Sequence, residues 1–584
     1  MPNYHFNQTC DSEIKAIKDI EEFYSISNLQ NIAKLFNVPG IEMGMKKELC
    51  CILANYYRYD SFLREIHEYY HGCKIKFFPS NYGYIVRKYG PLLRGIKKEP
   101  YYKLKIIWIY YYCFKVMSFF YLSLVLSYFF IRYCSLLFCV RSKRKSSFYQ
   151  VAYRLYSGEI TNSLCKRELR CGSQRRTYDF LIDDDITKNK DILFCLEDKI
   201  SQNKINDIKN NLEIAQPYST KKNGLEREIF IGTICLYLSV LYNIFRIDFP
   251  FRVWIVRGVY ENMVWSQFLR DYRISNYVVF NDLSSRSVIR NSLFREAGLK
   301  TYFFNHSSHN MFEWDTNRKS LLHPVYGFHN VTDMVCHGRR MEEFFMKHPG
   351  EIKRFHTYGV PWSENVKKSK ERPSEEMLKL IMTKKKYKYF IGVFDSSFGF
   401  DHADIVGVSS LQMDDMVAFY SGILDLIEKY SDCMFLLKPK NFTIIPDEYY
   451  IANVSDELID LKKQLDDCKR VEIFNIDIDA REIISICDLN IAGCFTSIVS
   501  ESIGARVKAI YYDGSNRNQD TPWGRVPNMV PSSTKSLCET VEYWLNLSDE
   551  DFTTFITEYI IPDIDPYCDG QALNRFRREL MNVC

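Results

Sequence analysis

The chain lacks most of the features that settle a protein's class at a glance. No apolar run precedes the acidic residues of its opening, MPNYHFNQTCDSEIK, so no secretory leader is expected there. No CxxC pair repeats at the spacing of a zinc site, and the 19 cysteines, Cys50-Cys51 among them, are scattered through 584 residues. That pattern speaks against a disulfide scaffold and favours reduced thiols in the cytoplasm. A large excess of charge of one sign is absent too. The 77 basic and 72 acidic side chains leave a formal +5, too faint a footprint for a nucleic-acid binder. Internal repeats and long low-complexity tracts are also missing.

What is present is an ordinary globular balance, 46% apolar and 26% charged, with length for three or four domains. Aromatics are abundant, 42 Tyr and 41 Phe, and spread widely enough to serve core or lipid contacts. The most apolar stretch runs from Ile106 to Val140, interrupted by Lys115 and Arg132. Its uncharged middle, Val116 to Ile131, holds 16 residues, short of the roughly 20 that a perpendicular span needs. Basic residues flank both ends, among them Arg94, Lys97 and Lys98 before it and Arg141, Lys143 and Arg144 after it. Such flanks favour a re-entrant or interfacial helical hairpin held at the cytoplasmic face of a membrane. A buried core pair and a true crossing remain open alternatives.

Residues 1–100 read as helical. Within Ile26–Tyr57, Leu29, Ile32, Ala33 and Phe36 share one face, Pro39-Gly40 break it, and a second helix begins near Lys47. This helix–link–helix pattern resembles the SAP and Rho-N-terminal modules, which often bind nucleic acid, although a plain hairpin docked on the rest of the chain fits the same residues. After the insert (101–145) the pattern alternates. Ile192–Leu196, Val253–Val256, Tyr277–Phe280 and Thr301–Phe304 read as buried strands, as do Tyr389–Phe394, Met434–Leu437, Val471–Phe474, Leu489–Ala492 and Val507–Tyr512. Amphipathic stretches such as Met413–Tyr430 and Ser536–Leu547 lie between or after them. The expected class is α/β, with two Rossmann-like domains of parallel sheet, 146–364 and 389–584, joined by a charged linker, 365–388.

In such sheets ligands sit beyond the carboxyl ends of strands. One candidate turn is CDLNIAGCFTSIVSESIG, where Thr496 and Ser497 open a helix suited to a phosphate and Glu501 lies one turn on, within reach of a ribose. An N-cap without a ligand explains the same residues. Lys438-Pro439-Lys440 leaves a strand where a departing phosphate would need positive charge. The polar loop DSSFGFDHAD, opening at Asp395, would cover the donor. In the first set, His306 in TYFFNHSSHN is a candidate base for a hydroxyl, and Asp282 after YVVF is the runner-up. His306 and His309 lack helical zinc spacing, and Asp183-Asp184-Asp185 reads as a loop, so neither a metal nor a cofactor is expected.

The segments NYVVFNDLSSRSVIRN, GLKTYFFNHSSHN, FHTYGVPWSENV, YFIGVFDSSFG, FLLKPK and CDLNIAGCFTSIVSESIGARVKAIYYD resemble, in order, a family of bacterial capsule and surface-carbohydrate biosynthesis proteins of GT-B fold. More distantly they resemble CDP-glycerol glycerophosphate polymerases and sialyl- and Kdo-type transferases. The resemblance implies two Rossmann-like domains facing a cleft and a nucleotide-sugar donor held by Lys438, Thr496, Ser497 and Glu501. It further implies His306 as base and a saccharide or lipid-linked acceptor. Relatives with CMP donors carry His-Pro where this chain has Lys438-Pro439-Lys440, which leaves the nucleotide open. Retaining enzymes of the GT-B fold often carry two Glu eight positions apart, and eight positions beyond Glu501 this chain has Ala509, so the resemblance implies inversion. A polyol-phosphate transferase, a non-hydrolysing nucleotide-sugar epimerase and a non-catalytic nucleic-acid or protein-binding protein are the alternatives.

Overall fold

A computed structural model describes residues 38–47 and 148–155 and, with internal breaks, residues 179–582. The apolar run 106–140, most of the helical N-terminal region, Asp183 to Asp185, Asp282, His306, His309 and Lys440 lie outside the described residues.

The first sheet has seven strands, all parallel: β1 (Phe148–Leu155), β2 (Ile192–Leu196), β3 (Glu213–Ala215), β4 (Arg273–Phe280), β5 (Lys300–Phe304), β8 (Asp333–Cys336) and β9 (Arg354–Thr357). A small antiparallel ribbon, β6 (Asp315–Thr316) and β7 (Lys319–Ser320), stands apart. The order is β3-β2-β1-β4-β5-β8-β9. Strands of such a sheet are covered on both sides, and their side chains alternate accordingly. Leu193, Tyr277, Val279 and Phe303 face one core with Trp265 and Phe294. Phe194, Val278, Tyr302 and Phe304 face another with Leu573, Phe576 and Leu580.

The helices of this unit are α1 (Arg227–Asn243), α2 (Phe249–Asp271), α3 (Ser285–Glu296) and α4 (Arg339–Met346). The run Val253–Val256, expected as a strand, is part of α2. Its apolar residues continue at helical spacing through Ile255, Val259, Met263 and Val264, all buried, and a 23-residue period outweighs a four-residue β-branched run. Residues 38–47 dock on this unit. Gly40 has φ +71°, and a Cβ there would collide with Ser292 Oγ and Val288 O of α3. Lys47 Nζ donates to Gly327 O at 2.8 Å. The Pro39-Gly40 link of the SAP-like pattern is thus an intramolecular contact.

The second sheet is also wholly parallel, with β10 (Tyr389–Phe394), β11 (Cys433–Lys438), β12 (Val471–Ile473), β13 (Leu489–Gly493) and β14 (Ala509–Tyr512) in the order β12-β11-β10-β13-β14. Both sheets therefore begin at a central strand and reverse direction beside it, the doubly wound topology. The charged stretch 365–388 is largely helical, as α5 (Ser363–Glu371) and α6 (Glu375–Thr383), and Val366 and Met377 anchor it in the second core. Then follow α7 (Met413–Lys429), α8 (Asp456–Asp466), α9 (Ala480–Ile486), α10 (Ser497–Gly504), α11 (Thr534–Asn546) and α12 (Asp549–Phe555).

The last helix, α13 (Ala572–Met581), departs from the expected division, because it returns to the first sheet. Leu573, Phe576 and Leu580 complete one of its cores, and Asn276 Nδ2 donates to Leu580 O at 2.8 Å. The chain thus crosses between the units twice. The crossings are tied together by Asp565, whose carboxylate accepts from the backbone N–H groups of Val360 (2.9 Å), Tyr567 (3.0 Å) and Cys568 (3.1 Å).

Candidate functional site

Between β10 and β13 the second sheet reverses its winding, and sheets of this topology bind ligands beyond the strand ends at such a point. The register sets Phe394 beside both Lys438 and Ala492, so the residues after β10, β11 and β13 share one edge. Asp395, Lys438 and Thr496 are brought together there.

Thr496 is the N-cap of α10, extended in backbone (φ −67°, ψ 158°), yet its side chain caps nothing. Its Oγ1 makes no hydrogen bond to any described residue although Thr496 is only 7% exposed. Tyr511 Oη donates to Thr496 O at 2.8 Å and holds the turn from behind. Ser497, half-buried, begins the helix. A helix start offers several N–H donors and partial positive charge, and a buried hydroxyl left without a partner is costly. Together they fit an anion.

Lys438 is buried at the end of β11, with Nζ donating to Pro439 O at 3.2 Å. Asp395 is buried and accepts from Tyr420 Oη at 2.7 Å. The same edge holds Lys462 of α8, which the sequence reading did not single out. It is buried beside Leu437, Pro439 and Ile473. Burial pulls its pKa down to about 8, against the opposing pull of Asp395 and Asp466. A signal did exist, because Leu458, Lys462 and Leu465 occupy one buried stripe of α8, where a lysine is out of place.

Glu501 is placed differently from the expected ribose contact. It is 0% exposed, and its two oxygens accept from Arg481 Nε at 2.7 Å and Nη2 at 2.9 Å. In the first unit, Asn305 and His337 follow the ends of β5 and β8. His337 Nε2 lies 3.1 Å from Asn305 O, while Nδ1 is buried without a hydrogen bond among the described residues. Burial lowers the His337 pKa to about 4, so the ring is neutral near pH 7. Sequence reasoning missed it because the strand before it, DMVC, is four residues long.

Two Rossmann-like α/β units of wholly parallel sheet, joined by a double crossover, make up a GT-B fold. Residues 252–541 match the family described as "Polysaccharide biosynthesis PFTS motif protein". No curated protein matches the chain. Among solved structures, Staphylococcus aureus MnaA with UDP is 10% identical, over 74% of this chain and 97% of that one, at a TM-score of 0.39. The UDP-forming trehalose-phosphate synthase of Burkholderia xenovorans is 10% identical, over 75% and 99%, at 0.39. A variant of the wall teichoic acid polymerase TagF, with CDPG, is 11% identical, over 74% and 88%, at 0.36.

Proposed function

We propose that the protein is an inverting glycosyltransferase that moves a sugar from a nucleotide-activated donor to a growing surface polysaccharide or a lipid-linked acceptor. The observation that carries this reading is the buried Thr496 hydroxyl, without a hydrogen bond among the described residues, at the start of α10, at the switch point of the second sheet and on the edge that also holds Lys438. The polysaccharide-biosynthesis family match over 252–541 supports the same class.

In this reading the donor phosphate rests on the α10 N–H groups, Thr496 and Ser497, with Lys438 and Lys462 supplying positive charge. His306, or failing it Asp282, takes the acceptor hydroxyl proton as that oxygen forms a bond to the anomeric carbon. The bond from that carbon to the donor phosphate breaks, and the departing nucleotide's added charge meets preorganised donors rather than water. Ribose recognition falls to residues other than Glu501.

Attachment to the inner face of a membrane forms part of the proposal. Among the described residues no helix is long and apolar enough to cross a bilayer. On α1, however, Ile231 (49% exposed), Leu238 (58%) and Tyr242 (78%) present an apolar stripe outward, while Thr233 is buried. That outward apolar stripe, opposite the buried Thr233 and Tyr237, suits an interfacial contact, as do the basic flanks of the 106–140 run.

A thermal-shift panel of UDP-, GDP- and CMP-linked donors tests the proposal. One nucleotide class should raise the melting temperature, and Thr496→Ala and Lys438→Ala should abolish the shift. Absence of any shift refutes the donor site. Nucleotide release without an acceptor would favour an epimerase or hydrolase, and transfer of a polyol phosphate would move the chain to that class. Cosedimentation with anionic vesicles, lost on Leu238→Glu, tests the membrane contact.

A further inference from the structure

The start of α10 is held from behind by a residue that neither the motifs nor the family match singles out. Arg481, second residue of α9, sends Nε and Nη2 to the two oxygens of Glu501 and reaches Asp479 with Nη1 at 3.5 Å. Burial by itself would lower its pKa, but Glu501 and Asp479 overcome that and hold it above the ordinary arginine value. A bidentate fork of this kind fixes orientation as well as distance. Glu501 lies four residues past Ser497, on the same helical face. The clamp therefore sets the rotation of an eight-residue helix too short to set its own.

Arg481 has a second contact. Its guanidinium lies 5.7 Å from the ring centre of Trp362, in the first crossover. Trp362 in turn meets Phe304 edge-on, ring centres 6.0 Å apart. Phe304 ends β5, two residues before His306. A continuous series of contacts thus runs from the end of β5 through Trp362, Arg481 and Glu501 to the helix that opens at Thr496.

We propose that Arg481 is a positioning residue. Through Glu501 it aims the α10 N–H groups and the Thr496 hydroxyl at the donor phosphate, and through Trp362 it sets that helix against the first unit. The inference rests on the proposed donor site and makes Glu501 part of an internal clamp.

Calorimetric titration with inorganic pyrophosphate and with UDP, GDP and CMP distinguishes the outcomes. The full-length wild type is compared with Arg481→Lys, Glu501→Gln and Trp362→Phe, at a temperature where circular dichroism shows each folded. Arg481→Lys and Glu501→Gln should each weaken pyrophosphate and the preferred nucleotide alike, by about tenfold or more, because the cradle itself is mis-aimed. Trp362→Phe should weaken both by a few-fold. Unchanged affinity per folded molecule in Arg481→Lys overturns the proposal. Should that variant fail to fold, Glu501→Gln, which keeps the side-chain volume and one acceptor oxygen, decides the point. Loss of nucleotide affinity with pyrophosphate affinity intact in Glu501→Gln would make Glu501 a nucleoside ligand and also overturn it. If the wild type binds neither pyrophosphate nor any nucleotide, the donor-site reading itself fails, a result separate from the others.

Discussion

Replacing Glu364 with leucine should loosen the C-terminal helix from the first unit. Glu364 and Arg577 are both buried, with Arg577 Nη2 donating to Glu364 Oε1 at 2.7 Å. Glu364 also accepts from Lys368 Nζ at 2.8 Å and, through Oε2, from the backbone N–H of Asn574 at 2.8 Å. Removing one partner of such a pair costs about 3–5 kcal/mol, because the remaining charge stays buried without its counterpart. Leu573, Phe576 and Leu580 still pack in their core, so the cost should fall on opening of α13 rather than on the whole chain. At 1.4 kcal/mol per decade the open population rises roughly a hundredfold or more. Limited proteolysis near the C terminus, with opening fast relative to cleavage, reads that population directly. The double variant Glu364→Leu/Arg577→Met removes both charges and should recover most of the loss. Cleavage of Glu364→Leu at the wild-type rate would refute the reasoning, as would a double variant no better than the single one.

The other expectations concern protonation and one glycine. Lys462 is charged below its pKa of about 8, and Asp395 and Asp466 face it. Nucleotide affinity should therefore fall, by up to about tenfold per pH unit, as pH rises above that value. In Lys462→Met, calorimetry should find weaker binding with that slope gone, and an unchanged slope would remove Lys462 from the site. His337 has its pKa lowered by burial from 6.5 to about 4, so the unfolded chain takes up a proton that the folded chain refuses. Stability should drop as pH falls through that window, by about 3 kcal/mol at its acid end. Urea midpoints should show His337→Gln losing part of this dependence. Gly40→Ala, strained at φ +71° and blocked by α3, should cost about 1–3 kcal/mol in the docking of residues 38–47. Hydrogen exchange confined to that segment and α3 checks it, and unchanged protection there would contradict the packing.

Much of the second unit was legible in advance. YFIGVF, MFLL and LNIA are continuous apolar runs bounded by polar turns, and each is a buried strand within a residue or so of its expected ends. Met413–Tyr430 has a clear helical period and forms α7. The first unit was harder to read. β8 and β9 span four residues each and β3 three, too short for any period to stand out. Val253–Val256 misled because a β-branched run looks alike in a strand and on the inner face of a long helix.

The candidate site divides in the same way. Lys438 and Asp395 were readable because each follows an apolar run directly, and Thr496 because it lies in the small-residue turn after another; a parallel sheet delivers such residues to one edge. Glu501 sits just as regularly in the sequence, yet its partner is Arg481, 20 residues earlier on another helix. Trp362 gave no local sign that it stands between Phe304 and Arg481.

By itself the sequence determined the α/β class, the main strands and the small-residue turn that opens α10, because periodicity and turn chemistry act between neighbours along the chain. Only the tertiary structure decided that α13 returns to the first sheet, that Glu501 is enclosed by Arg481, and that Lys462 joins the edge of the second sheet. Those outcomes depend on which buried charges meet once the helices have packed, and ion pairing between distant segments leaves no periodic trace in the residues that make it.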